Sequence, residues 1–323
     1  MKKVLTAVLR ILFPAVVFYL LSTKVDFREV ISNIGVFGFG NFSAVVLIIF
    51  LAQLTSALKF NIIMNSYGKR SGILHDIGVY LEGMFYNNLF FSTFGGDAFR
   101  AIVYTARFKE KAPVFSALFW ERMLGLLGVF ICAAVSVVLR PSILSSETVV
   151  KGINLGLPVF LIFAAASVLA VCLFFKPFRE ILGKLSSKIS IFKKAAGRFL
   201  EYSAGLGKAV PAFIISVLLS VLFVIIIVFS FLLILKVTSP GLPAGLIWIY
   251  IPFILLIAAI PVTISGLGLR EWSMIHFFAF INGFSSKENI MSASLIWFFA
   301  VFTLSVIGGL IHVLKALVSK KNR

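Results

Sequence analysis

The sequence predicts an all-α polytopic membrane protein with about six full spans and two broken, re-entrant helical hairpins in an inverted-topology repeat. Three observations favour this fold class. Of the 323 residues, 60% are hydrophobic, and the mean hydropathy is +1.08, as in chains that lie mostly in lipid. Apolar runs long enough to cross about 30 Å of hydrocarbon recur along the chain. Two further apolar segments are each interrupted by a similar glycine motif.

The complete spans are predicted from apolar runs of about 20 residues, the length that a helix needs to cross a membrane. The first run follows Lys2 and Lys3 and lacks a small-residue cleavage site, so we expect an uncleaved helix rather than a signal peptide. The runs lie at roughly residues 4–21, 43–64, 113–139, 154–175, 209–235 and 290–315.

The basic residues lie mostly between the apolar runs and therefore predict orientation. The strongly basic segment 176–208 and both termini are expected in the cytoplasm, with the protein in the cytoplasmic (inner) membrane. The net charge of +18 then reflects topology and contact with anionic lipid. Nucleic acid is not an expected partner, because no basic soluble face is present. Lys59, near the inner end of its run, is expected to extend its ammonium group to the interface.

The first broken segment, 77–106, has basic residues of the same predicted side at both ends. The chain between them must cross the membrane an even number of times. Its return arm, 98–106, would be only about 15 Å long at 1.5 Å per residue, too short to span. We therefore expect a re-entrant hairpin entering from the cytoplasm.

The second broken segment, 245–283, is expected to enter from the outer face, although its arms are long enough for two full crossings. Residues 1–323 then form a single transmembrane domain whose halves, about 1–140 and 150–316, repeat in opposite orientations. In such repeats the substrate site lies where the halves meet.

Both broken segments contain the pattern Thr-x-x-Gly-x-x-x-Arg, as Thr93, Gly96 and Arg100 and as Thr263, Gly266 and Arg270. A broken helix directs free backbone amides at the break, and an arginine fork binds two oxygens at once, so the pattern predicts an anion site suited to phosphate. The alternative is structural: the glycines allow tight turns and the arginines extend to lipid headgroups.

Charged residues near these motifs extend the candidate site. Asp97 is expected to cap the helix that follows it, to pair with Arg100, or to accept an ammonium group or a proton. Glu121 and Arg122 point about 100° apart on a helix, so each needs another partner; an interfacial position is equally compatible with them. The substrate-binding candidates are Thr93, Gly95, Gly96, Asp97, Arg100, Glu121, Arg122, Thr263, Gly266, Arg270 and Glu271, with Glu82 as a candidate proton or headgroup contact.

The sequence lacks the motifs of several enzyme classes. The sequence has no Walker loop, no Gly-x-Ser-x-Gly and no His-Glu-x-x-His. Its two cysteines, Cys132 and Cys172, lie inside apolar runs and suggest neither a disulfide framework nor a metal site. No catalytic residue, metal or cofactor is predicted.

Three stretches resemble the flippase-like membrane family, which includes the transmembrane part of lysylphosphatidylglycerol synthases and archaeal membrane proteins of glycosylation pathways. They are Asn87 to Arg100 with its Gly-Gly-Asp, Glu121-Arg122 with Gly125, and Gly266 to Glu271. The resemblance implies translocation of a phospholipid or polyprenyl-linked lipid between leaflets. Full-length synthases also have a soluble aminoacyl-transferase domain, which these residues do not contain, so lysyl transfer is not expected.

The predicted function is a lipid translocase or lipid-binding transporter. Its partners would be membrane lipids with an anionic phospholipid or polyprenyl phosphate headgroup, together with a separate lipid-modifying enzyme. Two alternatives stay open: a membrane-embedded lipid-modifying transferase or its subunit, and a small-solute transporter.

Overall fold

The computed structural model describes residues 26–89, 95–139, 193–258, 268–281 and 285–321, together with Ala165. Within these ranges the chain is helical and contains no β-strand. The predicted spans 4–21 and 154–175 lie outside the described residues. The helices are α1 (Phe27–Ser66), α2 (Ile73–Leu89), α3 (Gly95–Phe108), α4 (Ala112–Val138), α5 (Lys193–Lys208), α6 (Val210–Thr238), α7 (Ala244–Ala258), α8 (Leu269–Ile275), which continues as a π-helical segment (His276–Ile281), and α9 (Lys287–Lys321).

Four of these helices, α1, α4, α6 and α9, are long and apolar enough to cross a membrane. They contain the predicted runs 43–64 and 290–315 and nearly all of 113–139 and 209–235, so the membrane-embedded, multi-pass helical character is confirmed. The first of them begins earlier than its apolar run because Asp26 caps it: the Asp26 carboxylate accepts a hydrogen bond from the Arg28 amide at 2.8 Å. Gly38 then takes φ 74° and ψ 156°, a conformation suited to glycine, and kinks the helix.

The first broken segment consists of two helices, α2 with 17 residues and α3 with 14, each shorter than the about 20 residues of a full crossing. They pack through glycines. A Cβ atom on Gly96 would lie 2.5 Å from the Gly83 carbonyl oxygen, so only glycine fits where the two backbones meet. Gly96 therefore does more than permit a turn, since it sets how closely the arms pack.

The second broken segment is also divided, into the 15-residue α7 and the 7-residue α8. Most of α7 is buried, including Tyr250 and Pro252. At the start of α8, Gly268 has φ 86°, and its amide donates to the Glu271 carboxylate at 2.6 Å, which closes the first turn.

Close helix contacts hold α2 in place and define the bundle around it. The most extensive contacts are α1 against α6 and α9 against α2, followed by α4 against α6 and α9 against α1. Gly308 of α9 lies against the backbone of Leu81, and Gly128 of α4 lies against the backbone of Ser220. Small residues at such crossings let helix backbones approach closely in lipid. Thus α2 lies between α9 on one side and α3 on the other.

Two loops and α5 meet at a polar contact near the ends of the helices. Lys69 pairs with Glu110, and the Tyr202 hydroxyl donates to the Glu110 carboxylate at 3.0 Å. The hydrogen bonds from Lys69 and Tyr202 lower the pKa of Glu110, and the bond to Glu110 raises the pKa of Lys69. The contact is therefore complete between the ordinary pKa values of 4.5 and 10.5. It is lost as the pH falls through the lowered pKa of Glu110 or rises through the raised pKa of Lys69.

We expect Glu110→Gln to loosen the docking of α5 at pH 7 and to remove the acid-side loss of that docking. Exposed ion pairs contribute little, so amide hydrogen exchange in α5 should rise only about two- to fivefold. Glu201→Gln, an exposed carboxylate on the same helix, is the matched control and should change nothing. Exchange that is the same in both variants at pH 7 would show that this contact does not hold α5.

Candidate functional site

Four charged residues from α3 and α4 form a continuous chain of ion pairs, called here the arginine cluster: Asp97, Arg100, Glu121 and Arg122. The Arg100 guanidinium donates to Glu121 at 2.7 Å and, through its other terminal nitrogen, to Asp97. Arg122 pairs with the second oxygen of Asp97. The prediction that Glu121 and Arg122 need other partners is confirmed, and of the alternatives for Asp97 the structure shows pairing with Arg100.

The neighbouring helix α2 completes the setting of Arg100. The Arg100 guanidinium lies over the Tyr80 ring, 4.4 Å from its centroid, in a cation–π contact. The Asn87 side-chain oxygen accepts a hydrogen bond from the Gly96 amide at 2.7 Å and so satisfies an amide of the first turn of α3. Asn87 thus joins the two arms close to the cluster, a role that spacing along the sequence does not reveal.

The second motif forms a compact, buried group around Arg270, whose exposed fraction is 4%. Its guanidinium donates to Glu271 at 2.5 Å and to the Ser294 hydroxyl at 2.9 Å, and Ser294 in turn donates to Glu271 at 2.8 Å. The guanidinium also lies 4.8 Å from the centroid of the Trp297 ring. Arg270 and Glu271 therefore balance each other's charge within one small network.

Two adjacent hollows connect the motifs, and together they are called here the crevice. The hollow at Arg100 and Glu121 has a volume of about 120 Å³, and the hollow at Arg270 one of about 230 Å³. They lie side by side because three residues, Gln53, Met84 and Asn87, line both.

Polar groups without partners line this crevice. Within the described residues, the side-chain amides of Gln53 and Asn88 make no hydrogen bond, and both face the hollow at Arg270. Asn88 belongs to the stretch Asn87 to Arg100 that carries the first motif, whereas Gln53 is not among the predicted site residues, although an amide inside the apolar run 43–64 is a signal for it. The crevice thus offers amides between two arginine groups, an arrangement that can bind a phosphate and the polar groups attached to it.

The predicted site residues separate into three sets. Gly95 and Gly96 are buried at the start of α3 beside the arginine cluster. Glu82 does not join the cluster: its carboxylate binds His312 at 2.8 Å and Lys315 at 2.5 Å on α9. Thr93, Thr263 and Gly266 lie outside the described residues.

The expected position of the Lys59 ammonium group at the membrane interface is wrong. Lys59 does not extend to the interface but is buried, 4% exposed, and its ammonium group donates to the Ser220 hydroxyl of α6 at 3.2 Å. The reason is a partner inside the bundle, the Ser220 hydroxyl, and Gly125 of α4 lies alongside, where a Cβ atom would be in ordinary van der Waals contact with Lys59 Nζ at 3.7 Å. The lysine therefore points into the bundle, toward the arginine cluster.

Comparison with known protein families identifies the family to which the chain belongs. The family model for the lysylphosphatidylglycerol synthase TM region matches residues 6–309. No curated protein and no solved structure matches the chain significantly. Among the described residues, no group of three or more His, Cys, Asp or Glu could hold a metal ion. Because the family match covers most of the 323 residues, this chain belongs to the family of the lysylphosphatidylglycerol synthase transmembrane region.

Proposed function

We propose that this protein is a flippase-like lipid translocase that binds the phosphate headgroup of a membrane lipid in the crevice and moves it between the leaflets of the cytoplasmic membrane. The family connects the chain with lipid modification and flipping. The observation that carries the proposal is the pair of adjacent hollows, one at Arg100 and one at Arg270, which share Gln53, Met84 and Asn87.

The charges of the crevice support binding of an anion from the membrane. Ionised groups are costly in hydrocarbon and are usually placed there for use. Each arginine is held by carboxylates when no ligand is present, Arg100 by Asp97 and Glu121 and Arg270 by Glu271. A phosphate can take the place of a carboxylate on a guanidinium, because both are bidentate oxygen acceptors. The headgroup would pass from one arginine to the other along the shared wall while the acyl chains stay in the bilayer.

The order of elements supports the finer architecture of this proposal. A long helix, a broken pair and a second long helix occur twice, as α1, α2–α3 and α4 and again as α6, α7–α8 and α9. This order fits a single domain of six spans and two re-entrant hairpins in an inverted repeat, with both termini in the cytoplasm. A site between the repeats would be reached from either leaflet in turn.

The partners of the proposed translocase are anionic phospholipids or polyprenyl phosphates, and a separate enzyme that modifies the transported lipid. A lipid-modifying transferase, or a subunit of one, is the second candidate, and the synthase named in the family description favours it. That candidate requires a covalently changed lipid in extracts of cells that make the protein. A small-solute transporter would instead be stabilised against heat by water-soluble ligands and not by lipids.

We expect purified protein in liposomes to accelerate leaflet exchange of a fluorescent anionic phospholipid, and Arg270→Gln to slow it. A charge-assisted hydrogen bond contributes about 1.5–3 kcal/mol, which corresponds to roughly a 10- to 100-fold loss of exchange. The measurement is chemical quenching of the label in the outer leaflet over time.

Two matched variants accompany this test. Arg107→Gln removes an exposed arginine at the end of α3 and should leave exchange unchanged. The double variant Arg270→Gln/Glu271→Gln leaves no unpaired buried charge, so it should fold and still exchange lipid slowly. Exchange no faster than in empty vesicles, or equal rates in all variants, would contradict the proposal.

A further inference from the structure

Lys59 carries a charge that the arginine cluster does not need for its own balance. Asp97 and Glu121 supply two negative charges, and Arg100 and Arg122 supply two positive ones, all joined in ion pairs. Protonated Lys59 adds one more positive charge. Among the described residues it forms no ion pair with a carboxylate, and its one hydrogen bond goes to the neutral hydroxyl of Ser220.

The surroundings of Lys59 place that charge next to the crevice. Glu121, which lines the hollow at Arg100, and Arg100 itself lie close enough to act electrostatically on the Lys59 ammonium group. Ser56, one turn earlier on α1, lines the same hollow. A Cβ atom on Gly125, one turn beyond Glu121 on α4, would lie 3.7 Å from Lys59 Nζ, so the ammonium group lies beside this part of α4.

Another buried carboxylate belongs to a different network. The Asp76 carboxylate accepts a hydrogen bond at 2.8 Å from the hydroxyl of Tyr104. Tyr104 lies one turn beyond Arg100 on α3. Its remaining contacts come from Asn61, Ser71 and His75. Asp76 thus has its own donors, and the surplus positive charge beside the crevice is that of Lys59.

We propose that Lys59 is the charge-balancing residue of the crevice, which pairs with Glu121 when a lipid phosphate occupies Arg100 and so selects headgroups with a single negative charge. This inference rests on the proposed function. A phosphate bound at Arg100 would lie against the Glu121 carboxylate on the same guanidinium, and repulsion between the two negative charges would displace that carboxylate. The displaced carboxylate needs a cation, and the nearby lysine without a carboxylate partner among the described residues is Lys59.

The net charge gives the ligand class. The cluster with Lys59 carries one surplus positive charge, which a phosphodiester headgroup neutralises completely. A phosphomonoester headgroup, with up to two negative charges, would leave a negative excess in a buried site, and such an excess is unfavourable in a low-dielectric environment. The selected ligands are therefore lipids with a phosphodiester, such as phosphatidylglycerol, over lipids with a terminal phosphate, which include phosphatidic acid and, among the proposed partners, the polyprenyl phosphates.

The test compares leaflet exchange of labelled phosphatidylglycerol and labelled phosphatidic acid in proteoliposomes. Lys59→Met keeps the length of the side chain and removes its charge, and we expect it to slow phosphatidylglycerol exchange at least about tenfold, the effect of losing one charge-assisted contact. Lys59→Met/Glu121→Gln restores the surplus of one positive charge and should recover exchange to within a few fold of the wild type. Lys236→Met, at an exposed lysine near the end of α6, should have no effect.

A structural role for Lys59 predicts other results. Loss of a purely structural contact would lower the melting temperature and would not be repaired by Glu121→Gln. If Lys59 balances charge, the melting temperature of Lys59→Met should be no lower than that of the wild type, because the substitution removes an unpaired buried ammonium group. If Lys59→Met does not fold, the single variant Glu121→Gln tests the charge-balancing role. This variant raises the surplus positive charge and should shift the lipid preference toward phosphatidic acid.

Clear results would overturn the inference. Lys59→Met with wild-type exchange, or a double variant as slow as Lys59→Met, or an unchanged lipid preference in Glu121→Gln, each excludes the charge-balancing role. A wild-type protein that exchanges no lipid removes the proposed function itself, and the inference with it. Wild-type exchange that is insensitive to Lys59→Met removes the inference alone.

Discussion

Arg100→Ala should abolish lipid exchange and lower the free energy of unfolding by about 3–5 kcal/mol, the cost of breaking a buried ion pair on one side. The guanidinium is the shared partner of Asp97 and Glu121, and its loss leaves Glu121 buried without its ion pair. Asp97 keeps Arg122, so the larger part of the cost falls on Glu121, and pairing of Glu121 with Lys59 would hold the loss toward the lower end of that range. The checks are denaturant unfolding in detergent and the leaflet-exchange assay.

A charge-matched double variant separates stability from function at this position. Arg100→Leu/Glu121→Gln removes both members of the pair and should regain most of the lost stability while exchange stays absent. Arg107→Ala, on the exposed face of the same helix, is the control for a simple loss of arginine. Wild-type exchange in Arg100→Ala would exclude Arg100 as the headgroup contact.

Gly308→Ala should destabilise the protein by at least about 1–3 kcal/mol, the range typical of overpacking. A Cβ atom at this position falls on the carbonyl of Leu81, and backbone cannot rotate away as a side chain can. Since α9 must then move off α2, the Glu82 contacts with His312 and Lys315 should weaken as well. The melting temperature in detergent and hydrogen exchange in α2 measure the effect.

Gly40→Ala is the matched control for the same substitution. Nothing lies within 4 Å of a Cβ atom at Gly40, which is also inside a long apolar helix. Alanine there should be neutral or stabilising by up to about 1 kcal/mol, the difference in helix propensity. Equal melting temperatures for the two variants would show that the contact between α9 and α2 tolerates a methyl group.

Local features of the sequence were enough to predict the helical fold and its interruptions. Apolar runs of sufficient length correspond to α1, α4, α6 and α9, and the two glycine motifs mark the segments that divide into α2–α3 and α7–α8. These predictions succeed because hydropathy and glycine act over a few turns of one helix. The number of full spans and the inverted repeat stay predictions, because several of the segments concerned lie outside the described residues.

The pairings within the site depend on distances between helices, which spacing along one helix does not contain. The requirement for outside partners at Glu121 and Arg122 followed from helical geometry, but the identity of those partners did not. The place of Glu82 in α2 predicts a position beside the motifs, whereas its carboxylate contacts His312 and Lys315 of α9. The position of Lys59 along α1 predicts the interface, because the hydroxyl that holds its ammonium group, that of Ser220, belongs to another helix.

The contact between Gly83 and Gly96 has a mechanical consequence. Two helices that touch backbone to backbone have no intervening side chains that can change rotamer, so α2 and α3 should move as one rigid unit. Gly308 of α9 lies just as close to the backbone of Leu81 in α2, so alternating exposure to the two leaflets would come from tilting of α2, α3 and α9 together, with Arg100 carried at a fixed position on α3. A headgroup bound to Arg100 would move together with these helices, and α2 and α3 would not need to separate.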